Sequence, residues 1–301
     1  MLKSDLHIQS VSHLHQIKKY APPAHPLITI IDASQIAYGE QMLGLKFSSE
    51  LYCISLKDKI TGFGYGRNRY DFSDGVLFFT APQQIFTVMD TQELGEMKGW
   101  MLYFHRDLIR NTSLAAKFDR YNFFSYSVNE ALHLSQAEET ILTSCVHLIQ
   151  QEMDLGIDQH SQQVLSSNLE LLLNHCNRFY ERQFLSRKKL NKNIVTTVET
   201  KIKEFFNSDN LSQIGQPTVS YLANQCLLSS GYLSDLLKKE TGRTTKEYID
   251  DFLLEQAKDL LLGTDKSVKQ IAFDLGYNHP HYFSRWFKKK TNQAPNNFRK
   301  N

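Results

Sequence analysis

The sequence predicts an α+β protein of two domains: an N-terminal β-barrel or jelly roll with a helical hairpin after it, then an all-α domain with two helix-turn-helix units. Three observations lead there. Residues ~25–128 alternate short β-branched and aromatic runs with turns marked by glycine, proline and aspartate. From residue 135 the apolar period becomes helical. Between residues 218 and 292 the chain repeats itself at an offset of about fifty residues. A chain of 301 residues is long enough to bury two cores.

The first region, residues 1–134, contains ELYCISLKD, GVLFFTA and QQIFTVMD. Gly62, Gly64, Gly66, Asp74-Gly75 and Ala81-Pro82 punctuate these runs. Many short strands with such signals suggest a small sandwich or barrel. KGWMLYFHRDLI continues the pattern and then turns helical.

Residues 135–186 read as two amphipathic helices. Ser135 with Glu138-Glu139 is a capped helix start. Ile141, Cys145, Leu148 and Ile149 then share a face, and Gly156 breaks the run. The second helix places Leu165, Leu169, Leu172, Cys176 and Phe179 on one stripe. The spare apolar face of such a hairpin is either core against the first region or a subunit interface, and the residues leave both open. Residues 187–194 are polar and basic and read as a linker.

The repeat lies in residues 195–301, as TVSYLANQCLLSSGYLSDLLKKETG (218–242) and SVKQIAFDLGYNHPHYFSRWFKKKTN (267–292). Each copy opens with a short helix holding a small residue, Ala223 or Ala272, where a second helix can cross closely. In the second helices Leu233, Leu236 and Leu237 match Phe283, Trp286 and Phe287, a buried stripe at i, i+3 and i+4. The outward stripe matches too: Gly231, Ser234, Asp235 and Lys238 against His281, Ser284, Arg285 and Lys288. Ser229 or Ser230 can cap the first of these helices and Asn278 the second, with Pro280 in its first turn. A polar second helix of this kind has the geometry that enters a major groove. Lys246–Leu262 between the copies reads as one helix. At ~1.5 Å per residue its length can hold two such helices in grooves about 34 Å apart.

Charge agrees with a polyanionic partner. Residues 191–301 hold 16 Lys and Arg against 12 Asp and Glu, and no acidic residue follows Asp274. Cys53, Cys145, Cys176 and Cys226 are widely spaced without a CxxC pair and read as small buried hydrophobes. No apolar run reaches the ~20 residues of a membrane span. The N-terminus lacks the pattern of an export signal, so a cytoplasmic location is expected. Gly62–Gly66 is not followed by a helical stretch, which argues against a phosphate loop.

These motifs resemble the AraC/XylS family of bacterial transcription regulators over about 105 residues. In the second copy the likeness rests on Ile271-Ala272, Gly276-Tyr277, Tyr282-Phe283-Ser284-Arg285, Phe287-Lys288-Lys289, Pro295 and Phe298-Arg299. The first copy contributes Leu222-Ala223, Ser229–Leu233 and Lys238–Gly242, and the connecting helix Tyr248-Ile249, Glu255 and Ala257. Asn292 stands where the family commonly has Gly, and Asn tolerates the left-handed conformation. Leu253 replaces a frequent Arg, and Asp235 stands where a base-reading Arg or polar residue is common. The phrases DGVLFFTAPQQIF and KGWMLYFHRDLI are similar to the cupin-like sensory domain of many members.

The resemblance implies a sequence-specific regulator that binds double-stranded DNA. It also implies a small-molecule effector in the first domain, dimerisation through the hairpin, and contact with RNA polymerase. No cofactor, metal or membrane is implied. Candidate DNA-facing residues are Ser230, Gly231, Ser234, Asp235 and Lys238 on the first recognition helix, and His279, His281, Ser284, Arg285, Lys288 and Lys289 on the second. Arg285 would bind a guanine through O6 and N7; the rival is a pair with Asp274 or a phosphate. Lys238, Lys288 and Lys289 suit phosphates. An enzyme with a DNA-binding appendage is the alternative class. A cupin oxygenase needs a metal-binding HxH with later Glu and His, but His13-x-His15 precedes the strands and His279-x-His281 lies at the recognition helix. A repair methyltransferase needs an activated Cys beside His and Glu, and no cysteine here has that company in the sequence.

Overall fold

The computed structural model describes residues 6–35, 46–57, 63–65, 68–69, 75–88, 98–127, 130–186, 188–206 and 215–299. It divides into two compact units, Met1–Ser186 and Arg187–Asn301. The first is rich in sheet, the second helical.

In the first unit, one sheet has the order β1 (Leu6–Ile8), β3 (Lys46–Ser49), β8 (Phe86–Val88), β5 (Phe63–Tyr65), β6 (Asn68–Arg69). Of these pairs only β1 and β3 run parallel. The other sheet is antiparallel throughout, in the order β10 (Leu132–His133), β7 (Val76–Thr80), β4 (Tyr52–Lys57), β9 (Gly99–Phe104), β2 (Ile28–Asp32). Strand β4 lies at its centre and is buried along its whole length. Gly99 is required beside it: with φ of 125°, a Cβ there would lie 2.1 Å from the Leu56 carbonyl oxygen. The turn signals Gly62, Gly66 and Asp74 lie outside the described residues.

Each face of this second sheet has its own cover. Ile31, Cys53 and Met101 pack with Ile8 of β1 and with Val11 and Leu14 of helix α1 (Val11–Lys18). On the opposite face an aromatic cluster forms, in which Tyr52 stacks on Phe104 at 5.1 Å and on edge against Phe118 and Phe124. Helix α3 (Ser161–Ser186) joins it through Tyr180, stacked on Phe123 at 5.6 Å.

Helix α2 (Gln136–Asp154) begins with the capping box of Ser135 and Glu138, as the sequence signals. The stripe of Leu165, Leu169, Leu172, Cys176 and Phe179 on α3 is buried. On α2 the expectation fails in part. Cys145 and Ile149 are buried, but Ile141 and Leu148 are exposed. Leu142 and Val146 fill the core in their place, because the apolar arc of α2 is wider than the face its neighbours cover. Arg182 of α3 ties the pair together by donating to Glu138 at 2.6 Å.

The segment read as a linker is helical from Lys188, the start of helix α4 (Lys188–Phe206). Lys, Arg and Leu are good helix formers, and 187–194 contains neither Gly nor Pro to interrupt them. Val198, Ile202 and Phe205 of α4 are buried. After it come α5 (Val219–Gln225), α6 (Ser230–Thr241), α7 (Thr245–Gly263), α8 (Val268–Asp274), α9 (Pro280–Thr291) and α10 (Pro295–Phe298). One core joins them, with Leu222 and Ala223 of α5, Leu233 and Leu237 of α6, Ile271 and Ala272 of α8, and Phe283 and Phe287 of α9. Leu253 of α7 lies in that core, where a charged side chain would be buried.

Candidate nucleic-acid interface

The two repeats fold alike through the first helix and into the turn. Thr218 caps α5 by accepting from the Tyr221 amide, and Ser267 caps α8 by accepting from Gln270. The tight turns close with the same bonds: the Leu228 amide donates to the Ala223 carbonyl at 2.9 Å, and Tyr277 to Ala272 at 2.9 Å. Each turn needs a left-handed residue, which is Leu227 (φ 58°) in the first copy and Gly276 (φ 75°) in the second. The second helices end on left-handed residues too, Gly242 and Asn292. Asn292 at φ 59° adopts the left-handed conformation expected of it.

The starts of the recognition helices differ. Ser229 caps α6, accepting from the Tyr232 amide at 3.2 Å. Asn278 does not cap α9: the capping position is His279, whose side chain makes no capping bond, and Pro280 fills the first helical position. The second turn is one residue longer than the first, and this moves Asn278 out of register.

The predicted DNA-facing residues divide into free and committed ones. On α9, His281, Arg285, Lys288 and Lys289 are exposed, as is His279 just before it. Arg285 has no carboxylate partner among the described residues. The rival pairing with Asp274 is absent, since that carboxylate holds Lys266 at 2.8 Å. Ser284 is half-buried and donates back to the Pro280 carbonyl at 3.1 Å. On α6, Ser230 and Lys238 are exposed, while Gly231, Ser234 and Asp235 are half-buried. The Ser234 hydroxyl is shared with Thr245 of α7 at 3.2 Å, so it is turned toward its own domain.

Part of the basic end is structural. Arg299 donates to the carbonyls of Leu261 at 3.1 Å and Lys266 at 2.6 Å, where α7 ends and the next segment begins. Lys290 pairs with Asp250 of α7 at 2.9 Å. Trp286, expected in the core, is half-buried at its rim beside Tyr277. The residue list drawn from the sequence omits Tyr282, which is exposed with its ring 4.1 Å from that of His281. Together with His279 it forms an aromatic cluster at the start of α9. Its place one residue off the repeated stripe hid it, although it stands within the quoted motif.

Residues 222–301 match the family model of a helix-turn-helix domain. The chain is 28% identical over 153 residues to the uncharacterized HTH-type transcriptional regulator YijO of Escherichia coli K12, covering 51% of each chain. It is 38% identical over 82 residues to the bifunctional transcriptional activator/DNA repair enzyme AdaA of Bacillus subtilis, covering 27% of this chain and 39% of that one. A solved structure, the C-terminal domain of the two-component response regulator yesN from Fusobacterium nucleatum, is 34% identical with a TM-score of 0.32, covering 36% of this chain and 98% of that one. The chain thus spans about half or less of the length of these curated relatives. The family match falls on the repeated C-terminal region. The C-terminal unit is a helix-turn-helix domain of the AraC type.

Proposed function

We propose that this protein is a sequence-specific, DNA-binding transcription regulator in which residues 195–301 bind double-stranded DNA and the N-terminal region answers a small-molecule effector. One observation carries the reading. Two helix-turn-helix units of matching geometry share a core, and the second presents Arg285, Lys288 and Lys289 outward, Arg285 having no carboxylate partner among the described residues. Uncommitted cations on a recognition helix fit a phosphate-lined groove. The connecting helix α7 has 19 residues and spans roughly 28 Å, which suits helices in successive grooves.

The N-terminal half is read as a cupin-like sensory domain, 1–134, with the hairpin 135–186 as a dimerisation element. Support for a homodimer comes from a ridge of exposed apolar residues. Ile141, Leu148 and Leu155 follow at seven-residue intervals, and on α3 Val164 and Leu171 are seven residues apart with Leu185 fourteen further on. Such a ridge favours burial against a second copy. Contact with RNA polymerase and a cytoplasmic setting follow from the regulatory role. Among the described residues no helix is long and apolar enough to cross a membrane.

We infer no catalytic role and no cofactor. A relative with an enzymatic name, AdaA, matches over less than half its length. Burial pushes all four thiols up, Cys53 to about 12, and a protonated thiol is a poor nucleophile. The test is a titration of the full chain with random-sequence duplex at ~50 and ~200 mM salt. A regulator making several phosphate contacts loses orders of magnitude in affinity between them. Absence of binding at low salt would defeat the reading.

A further inference from the structure

Strand β2 ends the second sheet, paired with β9 along one edge and with no described strand along the other. The register shows which of its backbone groups are left over. The His105 amide donates to the Leu27 carbonyl at 2.8 Å, and Ile28 stands opposite Phe104. Bonded and non-bonded rungs alternate along an antiparallel pair. Leu27, Thr29 and Ile31 therefore turn their amides and carbonyls toward β9, and Ile30 turns its own outward, away from the sheet.

A cavity of about 470 Å³ lies along that edge, within the roughly 300–1,000 Å³ of small-molecule sites. Four consecutive residues, Ile28 to Ile31, line it. Side chains of a strand alternate between faces, so an unbroken run of four means that the strand meets the cavity edge-on. The rest of the wall comes from α1, the turn after it, Gln35, and Gln150 and Met153 of α2. Several polar groups here are already committed. The His15 Nδ1–H donates to the Ala21 carbonyl at 2.6 Å, and its Nε2 lies 2.9 Å from the Thr29 hydroxyl. The Tyr20 hydroxyl donates to the Gln35 carbonyl at 3.2 Å. These bonds hold the wall in place and leave the Ile30 rung for a ligand, one N–H and one C=O flanking a single Cα. Unpaired strand edges take up another extended backbone by the same two groups. The lining holds one lysine, the exposed Lys19, and no carboxylate. No carboxylate pairs with Lys19 among the described residues. Such a wall suits a ligand carboxylate and opposes a ligand ammonium.

We propose that this cavity is the effector site, and that the effector is a small N-acylated amino acid. Such a molecule carries an amide N–H and a carboxylate on either side of one carbon, the complement of the Ile30 rung. Its N–H donates to the Ile30 carbonyl, and one carboxylate oxygen accepts from the Ile30 amide while the charge lies toward Lys19. Acylation removes the ammonium that the lining cannot pair, and the apolar part rests against Pro23 and Met153. The assignment rests on the reading of the N-terminal region as sensory.

The test is a calorimetric titration of the full chain, with thermal melting of each variant as a check on folding. The probes are N-acetyl-leucine and N-hexanoylglycine. Their controls are free leucine, N-acetyl-leucinamide, and the ester analogue of N-acetyl-leucine in which oxygen replaces the N–H. Expected is binding of an acyl amino acid, weakened at least tenfold in the ester, which sets an oxygen against the Ile30 carbonyl. The amide and free leucine should bind several-fold more weakly. Lys19→Asn, at a left-handed position that Asn tolerates (φ 57°), should remove the advantage of carboxylate over amide. Ala24→Trp fills the cavity from an exposed position on its wall and should abolish binding. The ester comparison is made on the wild-type chain, so it stays decisive if a variant does not fold. Failure of both acyl amino acids to bind, equal binding of the ester, tighter binding of free leucine, or unchanged affinity in a folded Ala24→Trp would each overturn the proposal. DNA binding is measured alongside. Binding of the acyl amino acid without DNA binding would leave this site standing and remove the regulator reading, and DNA binding without it would do the reverse.

Discussion

The first and second helix-turn-helix units share a backbone plan and differ in what they present. Both use a small alanine at the helix crossing, the same turn bonds and a left-handed residue closing the second helix. The first fills its core with leucines, the second with Phe283 and Phe287. The first turns Ser234 toward α7 and carries an acidic residue, Asp235, on the outward stripe. The second exposes His279, His281, Arg285, Lys288 and Lys289 with no acidic residue after Asp274. Duplication thus preserves packing, which sequence identity at the core must satisfy twice, and frees the outer stripe to diverge. In the proposed regulator this difference would give base reading chiefly to the second unit and positioning to the first.

The largest effect that would sharpen this contrast is on stability. Phe283→Ala should destabilise the C-terminal unit by about 3–5 kcal/mol, the range for a buried aromatic, read by urea melting. Because the units share one core, DNA binding by both should fall together. Loss confined to one half-site would show that they fold separately.

Next is specificity. Arg285→Ala should cost about 1–3 kcal/mol of discrimination at one base pair while leaving others unchanged, measured by competition among single-base variants of a site. A uniform loss over all sequences would make Arg285 a phosphate contact and erase the proposed difference between the units.

Two smaller effects follow. Leu227 is 77% exposed and held at φ 58° where the second copy has Gly276. Leu227→Gly should raise stability by up to about 1 kcal/mol, strain relief being partly offset by the greater freedom of glycine when unfolded. A loss of stability would mean that the Leu227 side chain packs in a way its exposure conceals. Lys289→Ala should lower the slope of log affinity against log salt by about 1 and weaken all sequences alike. No change in slope would take Lys289 off the interface.

Much of this was legible in the sequence, for identifiable reasons. The i, i+3, i+4 stripes of the repeat name the core because helical periodicity alone decides which side is buried. Capping at Ser135 and Ser229 is a local property of a few residues, and so is the left-handed turn at Asn292. What failed depends on neighbours. The expected cap at Asn278 does not form, because one inserted residue in the turn shifts the helix start to Pro280. On α2 the periodicity admits a wide apolar arc, and only packing selects Leu142 and Val146 over Ile141 and Leu148. The polar run at 187–194 resembles a linker in composition, yet composition does not distinguish a solvated helix from a coil. Ser234 and Arg299 are polar residues committed to partners distant in sequence, α7 and the Leu261 and Lys266 carbonyls, and no local pattern reveals that.

The central claim is that two recognition helices on one rigid C-terminal unit read DNA in successive grooves. Selection of random duplex DNA on the full-length protein at ~150 mM salt, where counterions suppress purely phosphate-driven binding, tests it most directly. The account predicts enrichment of two short elements centred about 10 base pairs apart, with stronger sequence preference in one of them. Enrichment of a single element would contradict the tandem arrangement, and no enrichment would contradict sequence-specific binding itself.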